Sequence, residues 1–593
     1  MTILAEVDIP IEILLHTILN QYFFQSYCLT FVTEDEFEII NLHFPNVFAY
    51  IKVDADTNYT KQLLQVSEMG CSDYIISITK PEKFIKAFDE VNHMATVRRS
   101  DKKLMFLTTE EKVIPILKMK EISFVIHVLL ILKNKTYNNC EIYDFITHKF
   151  IGLGNTNDPM LLDKWDSCLK EFKNNVNLFP HNLNNLQGKT LKVGAFTYKP
   201  YVLLDLDTKI APRGWDGIEV KAIEEFCRWI NCTIELIRSD QDQQWGEIFD
   251  NRTGNGLLGI LVADLADVGI TSLYSWYHEY TFLDFSAAHI RTAVTCIAPT
   301  PRLLPSWKLP ILPFSWWLWF AVLCTFIYSA IALIIVQQGA SDNAFLTTFG
   351  IMITQTQPDP GNTWRIRVVT GWMLITGLVV DNAYGGGLAS AFTVPQYERS
   401  MDTIQDMIDS SLDWGATHDA WTFSMLLSQD PKIKQLINQF QVNDYETLQR
   451  KSFQRNMAFG IEKLPAGSYA IGDYIQKDAA EYLEIMLEEF YWEQCVLTAR
   501  KSSPYITKFS ELVGHLHESG ILLAWETQVA LKHLDYAVQL EVRLSRSRRD
   551  AEVVALQLHH TVGIFILYGI GCLTSALIFI GEIFYYNNKK PKT

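Results

Sequence analysis

Residues 316–336 read WWLWFAVLCTFIYSAIALIIV, 21 positions without a charge and long enough to cross a bilayer. The tryptophans at its start suit a membrane–water interface. Working outward, residues 561–583 form a second apolar run, uncharged until Glu582 and followed by Lys589, Lys590 and Lys592. Between the two, residues 368–380 (VVTGWMLITGLVV) are short alone but continue through Asp381 and Asn382 into AYGGGLASAFTV. A carboxylate at that depth is costly against lipid, so it is expected to face a bundle interior or water. The bland alternative for this stretch is a buried soluble helix. Residues 344–357 (AFLTTFGIMITQTQ) are apolar but too short and too polar to span. A re-entrant hairpin is expected there, because irregular backbone at membrane depth survives only where it lines water or is buried in protein.

The rest of the chain is of another kind. It has 593 residues, only 20% charged and 48% hydrophobic, which excludes disorder. Lys and Arg total 51 against 67 Asp and Glu, a net charge of −16 that argues against nucleic acid as the main partner. Sequons stand at Asn58, Asn134, Asn231 and Asn251, all before the first span. Together they point to an extracellular N-terminal region, with the lysine-rich tail (586–593) inside. Arg365 and Arg367 fall at the inner end of the middle span, in agreement. The opening MTILAEVDIP does not read as a signal peptide, so an incomplete N-terminus is expected. No two of the ten cysteines form a CxxC pair, and no metal or cofactor site is expected. Cys324 and Cys572 sit in apolar runs as packing residues, and some of the other eight are free to pair in an oxidising compartment.

Two α/β segments flank the spans. In 187–312, LKVGAFT alternates as a strand, and GWDGIEVKAIEEFCRWI opens with turn glycines into a helix. Val220, Ile223, Cys227 and Ile230 share one face of it. In 395–556, Asp430-Pro431 and Ser503-Pro504 are expected to start helices. Two α/β lobes interrupted by spans and a hairpin suggest a bilobed binding module with a channel inserted between its lobes.

That order resembles the ionotropic glutamate receptors, and more closely the variant ionotropic receptors of insects and other protostomes. The resemblance rests on the strand ending Pro200-Tyr201, the Gly-Trp-Asp-Gly helix entry, the Asp284-Phe285-Ser286 turn, the hairpin, and AYGGGLASAFTV (383–394). The last of these is similar to the family's gate pattern SYTANLAAFLTV. It implies an α/β bilobed periplasmic-binding-protein-like domain of two discontinuous segments, an inserted α-helical channel, three transmembrane helices and a re-entrant pore hairpin. The expected layout is a reduced N-terminal region (1–186), lobe S1 (187–312), M1 (313–337), pore loop M2 (343–360), M3 with the gate (366–394), lobe S2 (395–556), M4 (559–585) and a cytoplasmic tail.

Carried over residue by residue, the resemblance places Tyr201 as the ligand-capping aromatic, Thr422 as the hydroxyl for the distal acid, and Asp473 as the carboxylate for the amine. Tyr274 stands where the family has threonine. Glu279 takes the position of the arginine that grips the ligand carboxylate, and a carboxylate offers no bidentate partner for another. Glutamate is therefore not the expected ligand. Two readings stand side by side: Glu279 and Asp473 together hold an amine, or Glu279 points to water and the cleft has no ligand.

In the pore, Thr354 takes the selectivity position, followed by Gln355. A neutral ring is expected to pass monovalent cations without strong calcium selection. At the gate (Tyr384, Gly385, Gly386, Gly387, Leu388, Ala389, Ser390), the glycines either ease bending or allow tight packing between subunits. Strand candidates before residue 186 are EFEIINL, FAYIKVD and FVIHVLLILK. No HExxH, GxSxG, Walker or GxGxxG motif stands in a suitable setting, so no catalytic residue is expected. A transporter is disfavoured by three spans rather than a repeated bundle. A non-conducting co-receptor remains open. The resemblance implies a heterotetramer with co-receptor subunits, at the plasma membrane of sensory dendrites or cilia. The stimulus stays open among amines, acids, tastants, temperature and humidity.

Overall fold

The computed structural model describes residues 10–34, 47–54, 58–137, 140–153, 157–337, 343–356, 363–394, 397–547 and 558–589. The chain forms two compact units: one of Met1–Ala298 with Asp402–Arg543, the other of Pro299–Met401 with Leu544–Thr593.

The first unit begins with an eight-stranded sheet. Val47–Lys52, Cys28–Thr33, Asp73–Ser77, Lys103–Thr108 and His127–Tyr137 lie parallel in that order, and Cys140–His148, Pro159–Asp166 and Glu171–Phe172 continue antiparallel. Alternation decides both faces of the parallel part. Phe31, Ile75, Met105 and Leu129 are buried on one side, under helix Pro10–Tyr22, and Val32, Ile76, Phe106 and Leu130 on the other. The expected strands FAYIKVD and FVIHVLLILK are both present, whereas EFEIINL lies outside the described residues. Asn58, one of the sequon asparagines, caps helix Tyr59–Glu68 by accepting from Lys61 N at 3.1 Å.

Two further sheets follow. One has the order Thr233–Arg238, Thr190–Ala195, Val268–Gly269, Thr498–Arg500, Leu283–Phe285. The other has the order Phe440–Val442, Trp414–Ala416, Ala458–Lys463, Ile290–Pro299, Leu483–Ile485, with Tyr469–Ala470 and Tyr491–Cys495 at its side. Each chain segment thus lends one strand to the other sheet. Thr498–Arg500, from the second segment, sits antiparallel between two strands of the first. Neither sheet is built from one segment alone: helices Ile506–Glu518 and Ile521–His533 also cover the five-stranded sheet. Phe509 meets Phe226 at 4.1 Å, and His533 and Lys532 both donate to Asp216 at 2.9 Å. Helix Ile218–Ile230 buries Val220, Ile223, Cys227 and Ile230, as its spacing predicts. Asp430 caps helix Pro431–Asn438, but Ser503-Pro504 does not cap helix Ile506–Glu518, whose N-cap is Tyr505.

The eight-stranded domain packs on the five-stranded one through buried cations. Arg98 donates to Asp284 at 2.6 Å and to the Leu283 carbonyl at 2.7 Å, and stacks 3.6 Å over the Tyr280 ring. Arg500, nearly inaccessible, meets Asp89 at 2.9 Å and Asp264 at 3.4 Å and lies over Phe124. Three disulfides close this unit: Cys28–Cys71, Cys140–Cys168 and Cys227–Cys232. Cys296 and Cys495 are free and buried.

In the second unit, helices Trp316–Val336, Trp364–Thr393 and Val562–Lys589 are long and apolar enough to cross a membrane. The middle one runs unbroken through Asp381 and through Gly385, Gly386 and Gly387, about 45 Å at helical rise. Ala344–Met352 forms a short helix against it. Gly377 permits that contact, since a Cβ there would lie 2.7 Å from the Ile351 carbonyl.

Candidate functional site

The tyrosine-rich entry to the first α/β segment is shaped by local geometry. Tyr198 and Val202 exchange backbone hydrogen bonds at 2.8 and 2.9 Å, and a cis peptide joins Lys199 to Pro200. The turn projects Tyr201 into the interior, where it is fully buried and stacked 5.7 Å from Tyr198. Gly217 is obligatory behind it: its φ is +141°, and a Cβ would stand 2.2 Å from the Tyr201 carbonyl. Tyr274 is set by another device. Buried Glu219 accepts from the backbone amide of Ser272 at 3.0 Å and from that of Thr271, and His289 Nε2 lies 2.8 Å away. These bonds hold residues 271 and 272 in left-handed backbone (φ +105° and +49°) two residues before Tyr274.

The tyrosines converge on a group the sequence reading passed over. Glu462, on strand Ala458–Lys463 of the seven-stranded sheet, is 2% exposed. Tyr198 Oη donates to its Oε1 and Tyr201 Oη to its Oε2, each at 2.6 Å, and Tyr274 is a third hydrogen-bonding neighbour. Burial pushes the Glu462 carboxyl above the ordinary carboxylate range, while the three hydroxyls pull it back. The same burial pushes the phenols of Tyr198, Tyr201 and Tyr274 well up, so all three remain donors.

The other expected ligand residues lie differently. Asp473 is exposed and paired with Lys199 Nζ at 2.9 Å. Thr422 is buried, with its hydroxyl spent on the Asp419 carbonyl at 2.9 Å. Glu279, in the first turn of helix Tyr277–Phe282, is 4% exposed and does not point to water. Burial raises its pKa, and the charges that bear on it are His278 and Glu247. The structure thus joins Tyr201 and Tyr274 around Glu462 and places Asp473 in a surface ion pair. Further contacts bridge the two sheets: Thr417 donates to Gln244 at 3.0 Å and Trp276 Nε1 to Ser424 at 3.1 Å, with Trp276 and Phe423 edge to face at 5.3 Å.

In the apolar unit, Thr354 ends the short helix in left-handed backbone (φ +58°), and its hydroxyl lies 3.4 Å from Asp381 Oδ2 on the long helix. Gln355 N returns to the Gly350 carbonyl at 2.8 Å. Residues 357–360, with Asp359, lie outside the described residues. At the expected gate, Tyr384 Oη donates to the Pro310 carbonyl at 3.0 Å. Gly387 approaches Pro313, where a Cβ would meet Pro313 Cβ at 2.9 Å, whereas Gly385 and Gly386 face open space within 4 Å. All four sequon asparagines are exposed.

Comparison with known proteins gives two consecutive family matches. Residues 189–302 match the ligated ion channel L-glutamate- and glycine-binding site, and residues 315–572 match the ligand-gated ion channel family. The chain is 21% identical over 443 residues to the human delta-1 ionotropic glutamate receptor, covering 68% of this chain and 42% of that protein. It is 22% identical over 423 residues to Ionotropic receptor 21a of Anopheles gambiae, covering 66% and 41%. With Ionotropic receptor 21a of Drosophila melanogaster it shares 19% over 477 residues, covering 74% and 56%. The chain therefore spans well under two thirds of the length of these relatives.

Proposed function

From the premise that this chain belongs to the ionotropic glutamate receptor family, a family of ligand-gated ion channels and not of enzymes, and resembles its variant ionotropic receptors, we propose that it is a subunit of a cation channel acting in sensory detection at the plasma membrane. On this reading the five- and seven-stranded sheets are the two lobes of a clamshell, and the short helix Ala344–Met352 opens a re-entrant pore loop between the first two spans. The N-terminal region is extracellular, in keeping with its disulfides and exposed sequons. The C-terminus is cytoplasmic, and the assembly is a heterotetramer with co-receptor subunits. Thr354 and Gln355 line the pore and pass monovalent cations, and residues Tyr384 to Ser390 form the gate.

The cleft does not take glutamate on this reading. Its arginine position is filled by buried Glu279, a carboxylate that cannot grip another carboxylate. The observation that carries the reading is Glu462, whose two oxygens are already occupied by Tyr198 and Tyr201. The cleft closes on the receptor's own groups. This favours a subunit gated by a physical stimulus or by its partners. An amine remains the second reading, and the carboxylate that would receive it is Glu462 rather than Asp473, which Lys199 already neutralises. The test is a thermal-shift panel of amines and carboxylic acids on the full chain in detergent. A well-folded protein with no amine shift that depends on Glu462 supports the self-closed cleft, and a shift with amines lost in Glu462→Gln supports the amine. A shift with glutamate or other acids overturns both.

A further inference from the structure

The N-terminal domain carries a crevice that neither the resemblance nor the family matches account for. Its five parallel strands, numbered 1 to 5 along the chain from Cys28, run 2-1-3-4-5 across the sheet. The chain leaves the first strand toward one edge and returns to build the third on the other side. In open sheets of this kind a crevice forms outside the carboxyl ends of the strands, beside that reversal. A cavity of about 280 Å³ lies there. Glu34 follows the first strand, Ser77 ends the third with Ile78 and Thr79 after it, Leu107 and Thr108 end the fourth with Thr109 and Glu110 after them, and Ile131 and Lys133 come from the fifth. The domain packs on the five-stranded sheet by its opposite edge: Arg98 precedes the fourth strand, and Asp89 and His93 lie at the end of helix Pro81–Met94.

The lining specifies the ligand's chemistry. Among the described residues that line the cavity, the one ammonium, Lys133 Nζ, is already paired with Glu141, and Glu110 is paired with Lys112 at 2.9 Å. Glu34 accepts from Thr79 Oγ1 at 2.9 Å and has no cationic partner among the described residues. Ser77, Thr108 and Tyr143 also line the cavity, the Tyr143 hydroxyl donating to Glu141 and the Thr108 hydroxyl accepting from the Glu110 amide, and Ile11, Leu107 and Ile131 supply an apolar wall. A carboxylate without a cationic partner among the described residues, neighbouring hydroxyl-bearing side chains and an apolar wall suit a group with several N–H donors on a short hydrophobic body. An anion would meet Glu34 with no free cation among the described lining residues to offset it.

We propose that this crevice binds a small primary amine, its ammonium on Glu34 and its body against Ile11, Leu107 and Ile131. The site is separate from the tyrosine–Glu462 cleft and does not depend on how that cleft is used. The test is calorimetric titration of the full chain in detergent with phenethylamine and hexylamine, and with hexanoate as the anionic counterpart. Both amines are expected to bind and hexanoate not. Glu34→Gln should weaken amine binding about tenfold or more, the loss of one charge-assisted contact, with melting unchanged. Glu462→Gln should leave it unaltered. Absence of amine binding by the wild-type chain, equal binding of hexanoate, or amine binding that survives Glu34→Gln and falls in Glu462→Gln overturns the proposal. Should Glu34→Gln melt early, filling the crevice by Ser77→Trp replaces it, with the same expected loss.

Discussion

Replacing Tyr201 by phenylalanine removes one hydroxyl and leaves the ring in place, so it isolates the bond that ties the two sheets at Glu462. The Oη–Oε2 distance is 2.6 Å and the carboxylate is 2% exposed, so water cannot readily take the hydroxyl's place. A hydrogen bond to a charged group is worth about 1.5–3 kcal/mol in such a setting. Glu462→Gln keeps the shape but discharges the acceptor, and the double variant should then cost less than the two singles summed. A coupling of about 1–3 kcal/mol is expected for groups in direct contact. The readout is native-state hydrogen exchange of the full chain at amides of Ala458–Lys463 and residues 198–202. A loss of about 2 kcal/mol speeds exchange roughly thirtyfold when local opening is the route. Coupling below about 0.5 kcal/mol, or exchange in Tyr201→Phe that matches the wild type, would refute the claim that the cleft is held shut by its own side chains.

Three further outcomes follow from the same geometry. The folded pKa of Glu279 is raised by burial, so its stabilising form is the neutral one, complete at acid pH and lost as pH rises from the ordinary carboxylate range through the folded value; Glu279→Gln should therefore melt higher than wild type at pH 7, with the difference shrinking toward pH 4. Arg98→Ala leaves Asp284 buried without its cation and should cost about 3–5 kcal/mol, seen as faster exchange or proteolysis at the contact between the eight- and five-stranded sheets, while Arg99→Ala, on a more exposed pair, serves as the mild control. Replacing Cys28 and Cys71 opens a loop of separation 43 and should cost about 4 kcal/mol on chain entropy, against about 2 kcal/mol for Cys227 and Cys232 at separation 5, measured by chemical denaturation of each pair of serine variants.

The spans were legible because an uncharged run of 21 residues has few other uses, and the helix through Asp381 followed from its continuing apolar flanks. Tyr201 was legible from its Pro-Tyr pair. Glu462 was not. It is the penultimate residue of a short strand, AFGIEK, where a glutamate beside a closing lysine reads as surface, and pairing with Ile290–Pro299 sets the face it occupies. Eleven residues on, Asp473 offers the same functional group, and no local signal separates the two. The exchange of strands was equally hidden: Thr498–Arg500 is three residues long, too short for any periodicity. The parallel order of the N-terminal sheet is set by non-local pairing, so its carboxyl-edge crevice could not be drawn from strand candidates alone.

The most direct test of the channel reading lies at Thr354, whose hydroxyl sits 3.4 Å from Asp381. Thr354→Arg places a fixed positive charge at the expected constriction, where it should repel permeant cations. Recorded in cells where the current requires this subunit, the variant should shift the reversal potential or abolish the current. Currents with unaltered ion selectivity and amplitude would contradict the account.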